Sequence, residues 1–152
     1  MKTGRLALVV ALLAAGCNNN TTAPATTTSQ VPTATVLFSG SLVLQGATSS
    51  APISIATAGT LRITLASLTT SNSIGTTSVP VSVAVGLAVG TVNADGVSCD
   101  INPSINTVTA TPGLTSQLSV SVPVGTTCVQ IFDAGALATT GPVNFVIRIV
   151  HT

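Results

Sequence analysis

The sequence predicts an all-β protein. The expected form is an antiparallel β-sandwich with jelly-roll or Greek-key connections and about eight or nine strands. Three observations lead there. Apolar residues recur at every second position through most of the chain beyond residue 36. Turn formers separate these runs at short intervals. No segment after the first sixteen residues carries a 3.6-residue apolar period. The composition, 45% hydrophobic but only 2% aromatic, requires that the core be mainly aliphatic.

The elements follow in order. Val36, Phe38, Gly40, Leu42 and Leu44 alternate with Leu37, Ser39, Ser41 and Val43. Gly46 and Pro52 then break the chain, and Ile53 and Ile55 alternate with Ser54 and Ala56. After Ala58-Gly59, Leu61, Ile63 and Leu65 alternate with Arg62 and Thr64. Beyond Asn72, the run Val81, Val83, Val85, Leu87, Val89 alternates with Ser82, Ala84, Gly86 and Ala88. Asp95-Gly96, Pro103 and Pro112-Gly113 mark turns, and Leu118, Val120 and Val122 alternate with Ser119 and Ser121. Pro123 with Gly125, Gly135 and Gly141-Pro142 mark further breaks. Val143, Phe145, Ile147 and Ile149 then alternate with Asn144, Val146, Arg148 and Val150. Val, Ile and Thr dominate these runs, and branched side chains suit a pleated, half-buried surface.

The first sixteen residues are of another kind. Lys2 and Arg5 form a positive start, and residues 6–15 (LALVVALLAA) form an apolar helix too short to span a bilayer. Ala14, Ala15 and Gly16 precede Cys17. This arrangement resembles the lipobox of bacterial lipoproteins. That resemblance implies a signal peptide over 1–16, removed before Cys17, with acyl chains placed on Cys17 to anchor the protein. One acyl chain holds only marginally, whereas two or three anchor stably. The alternative is a plain secretion signal that meets a cysteine. Asn18 follows Cys17 where the family often uses Asp for inner-membrane retention, which favours the outer membrane. Residues 17–35 are rich in Thr, Asn and Pro and read as a disordered tether between lipid and domain. Residues 36–152 are the expected sandwich domain.

Charge and cysteine usage narrow the function. Without residues 1–16 the charged side chains are Arg62 and Arg148 against Asp95, Asp100 and Asp133. Two arginines neutralise too few phosphates for nucleic acid, and the same shortage excludes electrostatic capture by anionic lipid. Lipidation of Cys17 leaves Cys99 and Cys128 as an even pair, expected to form a disulfide in an oxidising compartment. Zinc is the weaker alternative, because four ligands are wanted and only His151 remains, far along the chain. Catalysis is not expected. A Ser-His-Asp set would have to use His151, which reads as a solvent-facing residue at a strand end. Nothing pairs two of the three Asp for glycoside hydrolysis.

The one candidate metal set is NADGVSCDIN, residues 93–102. Asn93, Asp95, Asp100 and Asn102 offer four oxygen-bearing side chains, a set that calcium would take with carbonyls and water. The competing reading is a hairpin turn at Asp95-Gly96. Asp133 reads as a turn cap, and Arg62 and Arg148 as solvated strand residues. No other cofactor is expected.

Three stretches carry a second resemblance: FSGSLVLQG (38–46), ISIATAGTLRITLASL (53–68), and CVQIFDAG with PVNFVIRIVHT (128–135 and 142–152). Together they are similar to the bacterial pre-peptidase C-terminal type of β-sandwich. The resemblance implies a jelly-roll-like accessory module of secreted proteins without catalysis of its own. The functional expectation is a lipid-anchored cell-envelope protein with a structural or protein-interaction role, its partners being envelope proteins or further copies. The alternative is a glycan- or ligand-binding module, which lacks the Trp and Tyr on which sugars stack.

Overall fold

The structure, a computed structural model, describes residues 33–71, 78–102 and 106–152. Cys17, the signal segment and the tether up to residue 32 lie outside the described residues.

The described chain forms eleven strands and one helical turn. In order these are β1 (Ala34–Leu42), β2 (Ala47–Ser49), β3 (Ile53–Ile55), β4 (Gly59–Ser71), β5 (Ser78–Pro80), β6 (Val85–Val92), β7 (Cys99–Asp100), β8 (Thr107–Ala110), β9 (Leu118–Val122), β10 (Gly125–Phe132), α1 (Leu137–Thr140) and β11 (Val143–His151). Every pairing is antiparallel. One sheet runs β1-β11-β4-β5, with β9 also on β4. The other runs β2-β10-β6-β7, with β3 also on β10 and β8 on β6. The chain crosses between sheets at most connections, as Greek-key and jelly-roll chains do. The predicted all-β sandwich is the fold. The strand number exceeds eight or nine because β2, β5 and β7 are pieces of two or three residues, too short to show alternation.

The inner faces hold the aliphatic core. Leu42, Leu61, Ile63, Leu65, Leu68, Phe145, Ile147 and Ile149 of the first sheet meet Ile55, Val85, Leu87, Val89, Val129 and Ile131 of the second. Phe38 and Phe145 pack edge to face, with centroids 4.9 Å apart. Phe132 is not part of this core. It lies opposite Gly86, and a Cβ on Gly86 would meet the Phe132 ring at 2.1 Å. The ring therefore covers the outer face of the second sheet.

That covering changes the reading of 81–89. The strand begins at Val85, and residues 85–89 are buried on both faces. The small residues Gly86 and Ala88, expected on a solvated face, are those that accept neighbours closely. In β4 the register shifts between Val146 and Ile147 of β11, leaving Ala66 without an opposite residue. This bulge moves the buried positions from 61, 63 and 65 to 68. Between the stretches that pair with β9 and β5, the edge of β4 is patched by a side chain. Gln117 accepts the Leu65 N–H through Oε1 at 2.8 Å and donates Nε2 to the Thr111 carbonyl at 3.2 Å. The Gly113 N–H meets the Leu65 carbonyl at 2.9 Å.

Candidate functional site

The two sheets meet differently along the β1 margin. Near Ser41 the margin is closed: the Thr48 hydroxyl of β2 donates to the Ser41 carbonyl at 3.1 Å. Toward Ala34 it is open. There the edge of β1, unpaired among the described residues, faces residues 50–55 across a seam of about 430 Å³. Inward-facing Val36 and Phe38, with Ile55, Leu61 and Ile149, form its apolar floor. Val36 remains 40% exposed although it points inward, and Leu37 on the opposite face is 70% exposed. No Lys, Arg, Asp or Glu lines the seam among the described residues.

His151 also lines the seam. It is half-buried rather than solvent-facing, which corrects the expectation of a free strand end. The cause is pairing past the end of β11: Thr60 and Thr152 exchange backbone bonds of 2.8 and 3.0 Å. Gly59 leaves room for the imidazole, since a Cβ there would stand 2.8 Å from Nε2. Nε2 is buried without a hydrogen-bond partner among the described residues. No Asp lines the seam beside it, so a Ser-His-Asp arrangement is not assembled there.

Cys99 and Cys128 are bonded, with Cα atoms 5.9 Å apart. The local reason is Gly90, which pairs with Cys128. The segment that follows Cys99 crosses directly over Gly90, where a Cβ would lie 2.2 Å from the Asp100 carbonyl oxygen. The absent side chain lets β7 approach closely enough for Cys99 to reach Cys128 on the outer face of the second sheet.

The four oxygen-bearing residues of 93–102 divide between two places. Asp95 closes the hairpin between β6 and β7. Its Oδ1 accepts the N–H groups of Val97 and Ser98, each at 2.9 Å, and Oδ2 accepts the Ser98 hydroxyl. These backbone bonds hold the Asp95 carboxyl below its ordinary pKa. Asn93 serves the same turn through its backbone, accepting from Gly96 at 2.9 Å. Asp100, opposite Thr91, instead lines a separate cleft of about 500 Å³ together with Asn102, Asn106 and Thr127. The turn thus occupies Asp95, while Asp100 and Asn102 face a different space. No group of three or more His, Cys, Asp or Glu able to hold a metal occurs among the described residues.

Asp133 does cap a turn. Its Oδ1 accepts from Gly135 at 2.8 Å and Leu137 at 3.2 Å, and its Oδ2 accepts from Gln45 at 2.9 Å. The Gln45 bond is the largest cause of a lowered carboxyl pKa, and it ties the β1–β2 turn to the end of β10. Arg62 and Arg148 are exposed on the outer face of the first sheet, while all three Asp belong to the second sheet or its loops. The open seam and its neutral edge were not visible as a site in the sequence. The only signal was the lack of any charge in ATVLFSGSL.

No protein-family model matches the chain, and no curated protein matches it.

Proposed function

We propose that this is a lipid-anchored, non-catalytic protein of the bacterial cell envelope, of the pre-peptidase C-terminal sandwich type, that engages protein partners through the open margin of β1. Acylated Cys17 anchors it, with the outer membrane favoured, and the tether sets the body off from the lipid surface. The observation that carries the interaction reading is the β1 edge, unpaired among the described residues, which exposes Leu37 and Val36 and carries no charged residue. Strand edges are ordinarily blocked by Lys, Pro or a bulge, and an unblocked one is a template for strand addition. The disulfide supports an oxidising compartment. A photo-crosslinking residue at position 37, activated in intact cells, tests the reading. Adducts at 37 and none from an exposed control at Leu114 are expected; no adduct at 37 would end it.

A second reading has its own observation. Asp100, Asn102, Asn106 and Thr127 converge on one cleft, and such groups suit the hydroxyls of a glycan or a similar polar ligand. Calcium could join such a complex through Asp100 and Asn102. Glycan-array binding that disappears in Asp100→Ala would favour it over the first.

A further inference from the structure

We infer that the outer face of the first sheet holds a site for one phosphomonoester group, built by Arg62 and Arg148. This does not depend on the β1 margin. The register of β11 against β4 sets Arg148 opposite Thr64 and Val150 opposite Arg62. Leu61, Ile63, Leu65, Ile147 and Ile149 are buried in the core, so these four intervening residues share the outer face. They form a square with the arginines on one diagonal. Diagonal neighbours on paired strands lie about 7–8 Å apart, within reach of long side chains. Thr64 is 4% exposed and Val150 half-buried, although both face outward. The long side chains beside them within the square are those of the two arginines. Their stems can lie over the square while the guanidinium heads stay in water.

The chain does not answer this charge. Across the neighbouring strands Arg148 stands beside Leu37 of β1, and Arg62 beside Ser119 of β9. The whole sequence contains three acidic residues, Asp95, Asp100 and Asp133, so no other segment can supply one. All three lie in β7 or in the loops that follow β6 and β10, strands of the second sheet. The described residues hold no further Lys or Arg. Folding therefore sets the only two cations of the described body side by side, where they repel, and leaves every anion elsewhere. An external anion removes that repulsion.

The chemistry of the pair selects the anion. Two charges are too few for a nucleic acid or a lipid surface, but they match a single phosphomonoester, which carries roughly −2 at neutral pH. One guanidinium fork satisfies both oxygens of a carboxylate and would leave the second arginine unused. A phosphomonoester presents three acceptor oxygens, enough for a fork from each side. The Ser119 hydroxyl, exposed and on the same face opposite Arg62, is placed to donate as well.

The experiment uses the full-length acylated chain in neutral detergent, isotopically labelled at nitrogen. The Nε–H signals of Arg62 and Arg148, assigned with Arg62→Gln and Arg148→Gln, are followed by nuclear magnetic resonance. Inorganic phosphate, glucose 1-phosphate, acetate and chloride are titrated at one ionic strength. Both signals should move together with inorganic phosphate, along one saturable curve, and respond far less to acetate or chloride. Arg148→Gln should weaken the response of Arg62 by on the order of tenfold, with the backbone spectrum otherwise unchanged. Tighter binding of glucose 1-phosphate would assign a sugar-borne phosphate, and equal binding the free ion. A response no larger than that to chloride would overturn the inference. So would two arginines that titrate with different affinities, or an Arg62 response indifferent to Arg148→Gln.

Discussion

Removing the Cys99–Cys128 bridge is the most informative perturbation of the body. The two residues are 29 apart in sequence. The loop-closure relation then gives an unfolded-state entropy of about 12 cal/mol/K, or about 3.6 kcal/mol at 25 °C. Cys128 is 1% exposed, so the double variant Cys99→Ala/Cys128→Ala is preferable to serine, which would bury an unpaired hydroxyl. For a body of this size, each kcal/mol corresponds to about 3–5 °C, so Tm should fall by on the order of 10–18 °C. With no Trp or Tyr, intrinsic fluorescence is uninformative, and urea denaturation followed by far-ultraviolet circular dichroism is the assay. A loss below about 1 kcal/mol would refute the chain-entropy reasoning. It would mean that β7 is held against Gly90 equally well without the bond.

Three other outcomes follow from particular contacts. Gln117→Ala leaves the Leu65 N–H, on a residue that is fully buried, without its acceptor; stability should fall by about 1–3 kcal/mol in the same denaturation assay. Gly90→Ala places a Cβ 2.2 Å from the Asp100 carbonyl, which is backbone and cannot swing aside, so the variant should retain titratable thiols at Cys99 and Cys128 in a quantitative thiol assay. Asp133 has a folded pKa below the ordinary 3.8, chiefly because it accepts the Gln45 N–H. Its contribution is therefore present above the unfolded value and is lost as pH falls below about 4 through the folded value. Asp133→Asn should flatten the pH dependence of Tm in that acid range, and a wild-type slope retained in the variant would contradict the assignment.

The parts of the fold that were legible in the sequence are those where one face is apolar and the other polar. β1, β9 and β11 fall almost where alternation places them, because each has one solvated face. β10 was hidden behind Pro123 and Gly125, since Cys128 and Val129 are both buried and no clean alternation survives. The phase of β4 changes at Ala66, and period two cannot anticipate a bulge. α1 is a single turn that buries Leu137, too short for any helical period. The pairing of Cys99 with Cys128 was readable from cysteine arithmetic, but the role of Gly90 in allowing it was not. Asp133 was readable as a turn cap from FDAG, whereas its bond to Gln45 spans 88 residues and has no local signature. The seam is likewise a relation between β1 in one sheet and residues 50–55, which lead into and include β3 of the other.

Intact mass spectrometry of the membrane fraction, with Cys17→Ser alongside, tests the central claim most directly: that an all-strand body with an internal disulfide hangs from lipid at Cys17. The expected wild-type mass is that of a chain beginning at Cys17, increased by its acyl groups and reduced by the two hydrogens of the Cys99–Cys128 bond. Cys17→Ser should keep the hydrogen deficit and lose the acyl mass. A wild-type chain that still begins at Met1, carries no acyl mass and retains all three thiols would contradict the claim.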